Sequence, residues 1–346
     1  MNITLFLEQK TPLIDVRSPS EFQKGHIPGA ISLPLFSDEE RSIVGTIYKQ
    51  QGKDPAIKKG LFFVGPKLLS FVEEAEKITG PSKTLRLYCA RGGMRSSSLA
   101  WLLQTSGFTC ILLDKGYKSF RNWTLTQFTK KYEFLVLGGF TGSGKTDILH
   151  ELNRNNEQTI DLEGLANHKG SSFGDLEGLK QPSCEQFENL LASTLSKQCQ
   201  NSPIWIEDES RNIGLCYLPE GIWSQMRLAP LLWIEQPLKN RINHLLSSYG
   251  NYSQELLIKS AEKLHKKLGA VKTADVTEKI QNHDLVGAIT DILKYYDKTY
   301  IYSSLKNPRN RINVPFTSDL MRELTSIKKL IKIKFIFLNK KYKKKI

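Results

Sequence analysis

The chain has 346 residues, of which 40% are apolar and 24% charged, an ordinary composition for a protein with two domain cores. It shows no basic opening segment followed by an apolar stretch and no run of about 18 apolar residues, which argues against a signal peptide and a membrane-spanning helix. Five scattered cysteines without CxxC spacing argue against a disulfide framework and a zinc site. We therefore expect a cytoplasmic protein with no membrane partner.

The net charge of +14 is unevenly distributed along the chain. Residues 328–346 contain nine lysines and no acidic residue, so a net charge of five remains on the rest. Because a lysine run at a chain end is usually solvated, we expect this segment to be frayed. The remaining body is mildly basic, which fits an RNA partner but does not require one.

Short apolar segments alternate with helical patterns in the first third of the chain. The predicted strands and helices are, in chain order, residues 12–16, 65–77, 84–88, 96–103 and 109–113. Strands that alternate with helices at this spacing predict a parallel sheet covered on both faces. The first domain is expected to span residues 1–130.

The segment CARGGMRS, which begins at Cys89, connects a predicted strand to a predicted helix. Backbone N–H groups of such a loop point inward and the helix N-terminus adds partial positive charge, so the thiol is expected to ionise near neutral pH. Gly92 and Gly93 permit a tight curl, while Arg91 and Arg95 can pair with the oxygens of an anion. We predict that Cys89 is a catalytic nucleophile with both arginines beside it.

The surroundings of this loop resemble a rhodanese domain. Residues 13–22 (LIDVRSPSEF) and 25–30 (GHIPGA) are similar to the N-terminal rhodanese signature, and residues 113–123 (LDKGYKSFRNW) to the C-terminal one. The resemblance implies a cysteine that carries sulfur or selenium. Arg95 follows Cys89 by six positions, whereas many rhodaneses have five, and the longer spacing is also that of cysteine-based phosphatases.

A second alternation of strands and helices begins near residue 133. Residues 133–137, 203–206 and 231–234 are predicted strands, and helices are predicted from Lys145 and over residues 184–199. After residue 237 the pattern is helical, over residues 240–246, 253–268 and 285–296. The predicted fold is α/β: a rhodanese-like parallel-sheet domain, then a P-loop NTPase-like α/β domain with a helical C-terminal region over residues 131–327, then the lysine-rich segment 328–346.

The segment GFTGSGKT over residues 139–146 satisfies the P-loop pattern between a predicted strand and a predicted helix. In such a loop the backbone amides wrap a phosphate, the lysine neutralises it, and the hydroxyl of Thr146 can bind Mg²⁺. Acids end the next strand, and Asp208 or Glu209 is expected to assist the metal. The predicted phosphate-binding residues are Gly139, Gly142, Ser143, Gly144, Lys145 and Thr146 in this loop, together with Gly92 and Gly93 in the cysteine loop.

Two polar segments follow the predicted strands of the second domain. Residues 161–174 are rich in glycine and lie where P-loop enzymes often hold a second substrate, so we assign His168, Lys169 and Ser171 to substrate binding. Residues 206–214 place Arg211 near the expected metal-binding acid. A lone histidine such as His168 is more often a surface residue than a catalyst, so its assignment depends on its neighbours.

The combination of both loops resembles the bacterial tRNA 2-selenouridine synthase family. The resemblance covers about residues 10–300 and includes residues 88–96, 161–174, 206–214 and 295–300. It implies a tRNA partner whose wobble 2-thiouridine is first geranylated from geranyl diphosphate and then converted to 2-selenouridine with selenophosphate. It also implies a selenium adduct on Cys89, with Arg91 and Arg95 holding the departing phosphate. We favour a monomer.

Three other functions fit the residues. An ATP-dependent tRNA sulfurtransferase would use the P-loop to activate a base carbonyl and Cys89 to deliver persulfide sulfur. A cysteine phosphatase would use the longer loop at Cys89, although Tyr88 stands where many phosphatases have histidine. A non-catalytic RNA-binding module would use both loops to grip phosphate only.

Overall fold

A computed structural model describes residues 1–169, 178–199, 202–306 and 309–343, and, within these, the side chains of all residues except 303–306 and 332–343. The chain divides into two compact units. The first comprises Met1–Gln127 with Ser183–Ser193, and the second comprises Phe128–Pro182 with Thr194–Ile346. The sequence places the boundary near residue 130 and does not assign Ser183–Ser193 to the first unit.

The first unit is built on a four-stranded parallel sheet. Its strands are β1 (Leu13–Asp15), β2 (Ile31–Ser32), β3 (Thr84–Tyr88) and β4 (Thr109–Leu112). Their order across the sheet is β2-β1-β3-β4. Each parallel connection passes through helices, which cover both faces of the sheet. These helices are α1 (Ile3–Glu8), α2 (Pro19–Lys24), α3 (Asp38–Gln51), α4 (Lys53–Val64), α5 (Leu68–Thr79), α6 (Met94–Thr105) and α7 (Gly116–Gln127).

Alternation along β3 divides the apolar residues of the first unit between two cores. Leu85 and Leu87 face one core, which continues to Cys89 at the end of the strand. Tyr88 faces the other core, beside Phe120. Successive side chains of a strand point to opposite faces, so the position of Cys89 fixes the face on which its sulfur lies.

The second unit contains a five-stranded parallel sheet and a short antiparallel hairpin. The strands are β5 (Phe134–Gly139), β6 (Gln158–Ile160), β7 (Ile204–Glu207), β8 (Asn212–Ile213), β9 (Cys216–Tyr217), β10 (Leu231–Glu235) and β11 (Arg311–Pro315). The sheet order is β11-β10-β5-β7-β6, and β8 pairs with β9. The strand that leads into the P-loop, β5, is therefore central and buried along its whole length.

Helices surround this sheet and extend into a helical region. They are α8 (Lys145–Arg154), α9 (Leu162–Ala166), α11 (Glu220–Leu228), α12 (Leu238–Tyr249), α13 (Gln254–Glu262), α14 (His265–Leu268), α15 (Ala270–Gln281), α16 (Leu285–Lys306) and α17 (Leu320–Lys343). The helix between α9 and α11 in the chain, α10 (Cys184–Ser196), belongs mostly to the first unit. A separate apolar core joins α13, α15 and α16. The predicted α/β fold with a helical C-terminal region is confirmed. Within the described part of the chain, no helix is long and apolar enough to cross a membrane.

The lysine-rich segment differs at its start from the frayed end expected from the sequence. Residues 328–343 continue α17, and Ile327 and Ile331 pack against the core of the second sheet. Lys328 forms an ion pair with Glu157. Because Ile327 and Ile331 lie one turn apart on the same helix face, the apolar stripe holds the beginning of the segment in place.

Candidate functional site

The loop after β3 curls around the sulfur of Cys89. The Gly93 N–H donates a hydrogen bond to Cys89 Sγ at 3.3 Å, and the Ser96 hydroxyl donates another at 3.2 Å. Gly92 has a φ of +64°, and a Cβ at this position would lie 2.8 Å from the backbone nitrogen of Lys115. Only glycine fits this turn without strain, and the turn brings donors to the sulfur from two sides.

Hydrogen bonds lower the pKa of Cys89 against the effect of burial. Burial favours the neutral thiol, but donation from the Ser96 hydroxyl and from backbone N–H groups of the loop favours the thiolate more, so the pKa lies below its usual value. On the neighbouring strand, burial raises the pKa of Cys110 to about 11. The Cys89 thiol therefore ionises more readily than that of Cys110, and Ser96, which the sequence did not point to, is a candidate residue for holding the thiolate.

We expect Ser96→Ala to raise the pKa of Cys89, because it removes a hydrogen bond to the thiolate, and a hydrogen bond to a charged group contributes about 1.5 kcal/mol. The measurement is the rate of Cys89 alkylation against pH, resolved by peptide mass spectrometry. Ser97→Ala is the matched control, since the Ser97 hydroxyl bonds to backbone carbonyl oxygens. An unchanged alkylation profile in Ser96→Ala would refute the role of this hydroxyl.

The two predicted arginines have different surroundings. Arg95 donates two hydrogen bonds to the Glu21 carboxylate, at 2.5 and 3.2 Å, and its side chain is largely buried. Glu21 in turn accepts from the Ser18 backbone at the start of α2. Arg91 is exposed. Arg95 is thus held in position beside the loop, while Arg91 can turn toward an incoming anion.

The P-loop joins β5 to α8 through residues that require glycine or a small side chain. Gly142 and Gly144 have φ values of +79° and +74°, and a Cβ on Gly139 would lie 2.4 Å from Ser143 Oγ. Ser143 is buried, and its hydroxyl oxygen has no hydrogen-bond partner among the described residues. A buried hydroxyl without a partner is costly unless a ligand supplies one, so this atom fits a bound phosphate.

Lys145 and Thr146 begin α8 and face a group of acids. Thr146 Oγ1 donates to Glu207 Oε1 at 2.8 Å and lies 3.3 Å from Glu163 Oε2. Lys145 Nζ lies 3.4 Å from the Gly139 carbonyl oxygen. Burial opposes its charge, but the surrounding acids outweigh burial and raise the pKa of Lys145 above its usual value. The lysine is therefore a fixed positive charge at the mouth of the loop.

Burial and mutual repulsion raise the pKa values of these acids. Burial acts first, followed by the neighbouring carboxylates, and the pKa rises to about 8 for Glu163 and Glu207 and to about 7 for Glu209. No cluster of three or more His, Cys, Asp or Glu in the described ranges could hold a metal alone. Mg²⁺ at phosphate sites needs only one or two protein oxygens, and Thr146 with Glu207 fits that requirement.

Two residues predicted to lie near the metal have other partners. Asp208 forms an ion pair with Arg309, so the carboxylate that contacts Thr146 is its neighbour Glu207. Arg211 is half exposed and pairs with Glu220 at 2.9 Å. Successive side chains at the end of β7 point to opposite faces, which separates Asp208 from Glu207.

The residues assigned to substrate binding follow α9. The His168 N–H donates to the Glu163 carbonyl oxygen at 3.1 Å, so this histidine is tied to the helix that carries one of the P-loop acids. Lys169 Nζ lies 5.7 Å from the centre of the Tyr249 ring. Ser171 lies outside the described residues. The assignment of all three to a substrate stays a prediction.

A buried ion pair supports the P-loop from the helical region. Arg241 donates to both carboxylate oxygens of Asp297 at 2.8 and 2.6 Å, and also to the Thr141 carbonyl oxygen at 3.3 Å. Only 2% of Arg241 is exposed. The guanidinium thereby connects α16 to the backbone of the loop. Sequence spacing gave no indication of these contacts, because Asp297 and Thr141 lie 56 and 100 positions from Arg241 along the chain.

We expect Asp297→Asn to lower the free energy of unfolding by about 2 to 4 kcal/mol, because it leaves the buried Arg241 without its charge partner. Denaturant unfolding measures this change. The control is Asp319→Asn, which removes an exposed pair with Arg322 and should cost about 0.5 kcal/mol or less. Equal effects of the two substitutions would contradict the supporting role of Asp297.

A basic and aromatic cleft in the second unit reaches Glu209, one of the acids near Lys145. The cleft has a volume of about 910 Å³. Arg311 lies over the ring of Trp233 at 4.2 Å, and Arg227 lies 5.5 Å from the ring centre of Trp223. Arginine and aromatic faces together are suited to stacking with nucleobases and to contacting phosphates.

Comparisons with known proteins agree with this arrangement. A family model described as the tRNA 2-selenouridine synthase AAA domain matches residues 132–328, more than half of the chain, and a rhodanese-like domain model matches residues 5–122. The family models thus agree with the strand topology for the predicted rhodanese-like domain and for the predicted P-loop domain.

Proteins named tRNA 2-selenouridine synthase are similar over much of the chain. That of Nitrosomonas europaea is 38% identical over 262 residues, which are 72% of this chain and 66% of that protein. The match spans 65% of the Nitrosomonas eutropha protein, so the chain covers slightly less than two thirds of both Nitrosomonas relatives. That of Pseudomonas putida W619 is 36% identical over 339 residues, which are 86% of this chain and 90% of that protein. The chain belongs to the tRNA 2-selenouridine synthase family.

Proposed function

We propose that this protein is a transferase that replaces the sulfur of wobble 2-thiouridine in tRNA with selenium, in two half-reactions. The observation that carries the proposal is the presence of two different loops suited to anions, one with a thiol of lowered pKa at Cys89 and one, the P-loop, with a buried Ser143 hydroxyl that has no partner among the described residues. The name of the relatives, tRNA 2-selenouridine synthase, supports a tRNA substrate and 2-selenouridine as the product, and the basic and aromatic cleft supports an RNA partner.

The first half-reaction is geranyl transfer at the P-loop. The sulfur of 2-thiouridine attacks C1 of geranyl diphosphate, a carbon–sulfur bond forms, the carbon–oxygen bond to diphosphate breaks, and the base loses its N3 proton. Lys145, Ser143 and the loop amides would stabilise the charge on the departing diphosphate. Thr146 and Glu207 would hold Mg²⁺, which neutralises phosphate oxygens when bound.

Alkylation prepares the base for the second half-reaction. A thiocarbonyl sulfur is a poor leaving group, whereas an alkylated sulfur can depart as a thiol. A selenium nucleophile then attacks C2, the new carbon–selenium bond forms, and the carbon–sulfur bond breaks with release of geranyl thiol, which takes up a proton. Geranyl transfer and selenation need different sites, since the first requires a site that binds diphosphate and the second requires a soft nucleophile.

Cys89 would activate the selenium donor. Selenium in selenophosphate is already at the oxidation level of selenide, so a sulfur–selenium adduct formed with release of phosphate would need a two-electron oxidant. A balanced step is attack of the Cys89 thiolate on phosphorus: the sulfur–phosphorus bond forms, the phosphorus–selenium bond breaks, and selenide departs with the bonding electrons and takes up a proton to become hydrogenselenide. Water then attacks phosphorus, the sulfur–phosphorus bond breaks to restore the thiolate, and phosphate leaves with Arg91 and Arg95 beside its oxygens. Mass spectrometry of the Cys89 peptide distinguishes the sulfur–phosphorus adduct from a sulfur–selenium adduct, because only the latter shows the characteristic isotope pattern of selenium.

Ligand binding tests the assignment of the P-loop. Geranyl diphosphate is expected to raise the melting temperature of the protein more than ATP does at equal concentration. Diphosphate should give an intermediate increase. Stronger stabilisation by ATP, together with adenylate or phosphate release during turnover, would favour the ATP-dependent sulfurtransferase instead.

A further inference from the structure

A large apolar cavity lies beside Cys89 within the first unit. Its volume is about 520 Å³. The cavity lies where α3 and α4 approach the cysteine loop, and we call it the α3–α4 chamber. Its apolar wall is formed by Leu35, Phe36, Val44, Tyr48, Ala56, Ile57, Leu61, Val64 and Met94.

Charged side chains also line the α3–α4 chamber, next to the loop. Arg41, Lys53, Arg91 and Arg95 all contribute to its lining, and no acidic residue does, although Arg95 and Arg41 pair with Glu21 at 2.5 and 3.9 Å. A ligand that matches this arrangement has an apolar body and an anionic or electron-rich end near the thiol. Several apolar wall residues are left open to solvent: Leu61 is 65% exposed, Tyr48 58% and Met94 49%. Open apolar surface of this kind is typical of a ligand site.

We propose that the α3–α4 chamber binds the prenyl chain of the S-alkylated base while its sulfur is displaced beside Cys89, a role that rests on the proposed function. The substrate of the second half-reaction carries a ten-carbon apolar chain on the atom that leaves. Burying that chain next to Cys89, where hydrogenselenide is released, would place C2 at the cysteine loop and keep the departing thiol out of water. The anionic end of the substrate would meet Arg91, which is exposed.

The size of the cavity supports this occupant. An apolar cavity of about 150 Å³ is enough to hold benzene, so 520 Å³ has room for a ten-carbon chain. The helical region has another apolar cavity, beside Thr141 of the P-loop, but its volume is about 70 Å³. That smaller space could not hold the whole chain without opening. The larger chamber lies beside the site of displacement, where the chain must be bound and then released.

The test compares two synthetic anticodon stem-loop RNAs that differ only in the group on the wobble sulfur, geranyl or methyl. Equilibrium binding to the full-length protein is measured without selenophosphate. We expect the geranyl RNA to bind roughly a hundredfold more tightly than the methyl RNA, because the additional carbons leave water only in the chamber. Equal affinities for the two RNAs would overturn the proposal.

Variants locate the effect. Leu61→Glu places a charge on the chamber wall at an exposed position. It should lower the ratio of the affinities for geranyl and methyl RNA roughly tenfold or more, while leaving methyl RNA binding unchanged. Leu69→Glu is the matched control, because Leu69 is 71% exposed on α5 and does not line the chamber. Tyr48→Asp, on α3, provides a second test if circular dichroism shows that Leu61→Glu is unfolded. Equal losses in Leu61→Glu and Leu69→Glu would overturn the proposal.

A kinetic readout separates this proposal from the function on which it rests. With selenophosphate present, selenation that proceeds with the same KM for geranyl and methyl RNA would overturn the chamber while the proposed function stands. Chain-dependent binding that Leu61→Glu abolishes, in a protein that never forms 2-selenouridine, would support the chamber while the proposed function fails.

Discussion

Replacing Cys89 with alanine is expected to abolish selenium incorporation and to cause geranylated tRNA to accumulate. The Gly93 N–H and the Ser96 hydroxyl donate hydrogen bonds to the sulfur, which lower its pKa below the usual value of a thiol. Alanine removes the nucleophile but keeps the glycines that shape the loop. We expect a loss of at least about a thousandfold in the rate of selenation, as for other catalytic nucleophiles, with no change in the geranylation rate. Nucleoside mass spectrometry measures both.

Cys110→Ala is the matched control for this variant. Cys110 lies on β4, the strand next to β3, and burial raises its pKa, so its thiol is not expected to react. Selenation should survive its removal, allowing for a moderate loss of stability from the smaller side chain. If Cys89→Ala still incorporated selenium at the wild-type rate, the assignment of the nucleophile would be wrong.

Replacing Lys145 with alanine is expected to slow geranylation by about 100- to 1000-fold, because it removes a buried positive charge that faces the departing diphosphate. Tyr300, Glu209, Glu163 and Glu207 surround this lysine, so its removal also leaves the acids without their counter-charge. When the variant is supplied with geranylated tRNA and selenophosphate, it should still form 2-selenouridine. The two half-reactions would then be separable by mutation.

Lys272→Ala controls for the loss of a lysine from the same unit, since Lys272 is exposed on α15. Circular dichroism and a melting curve are required for Lys145→Ala, because a collapsed domain would imitate a specific loss. If Lys145→Ala blocked only the second step, the P-loop would not be the geranyl diphosphate site. If ATP protected the P-loop and geranyl diphosphate did not, the sulfurtransferase would become the better account.

The sheets could be predicted from the sequence because their strands are short, apolar and bounded by loops. Thr84–Tyr88 and Leu231–Glu235 match the predicted strands closely. The helix Asp38–Gln51 was not predicted, because it has no buried residue and hence no clear apolar stripe. The strand Arg311–Pro315 was missed because only Val314 in it is buried. Segments that bury little surface carry little periodic signal.

The two loops could be located from the sequence because each is a local pattern. Their partners are distant in the chain, and residues such as Glu163 and Arg241 have no spacing rule that connects them to Thr146 or Thr141. Strand alternation could have identified another partner of Thr146, Glu207. Trp205 packs in the core beside α8, and a residue two positions later on β7 faces the same way, which points to Glu207 rather than Asp208 as the partner of Thr146.

The most direct test of the central claim is mass spectrometry of the wobble nucleosides after incubation of 2-thiouridine tRNA with the wild-type protein, geranyl diphosphate and selenophosphate. We predict geranylated 2-thiouridine with geranyl diphosphate alone and 2-selenouridine when both co-substrates are present, with release of geranyl thiol. Selenouridine formed without geranyl diphosphate, or a base that stays unchanged with both co-substrates while the tRNA remains bound, would contradict the account.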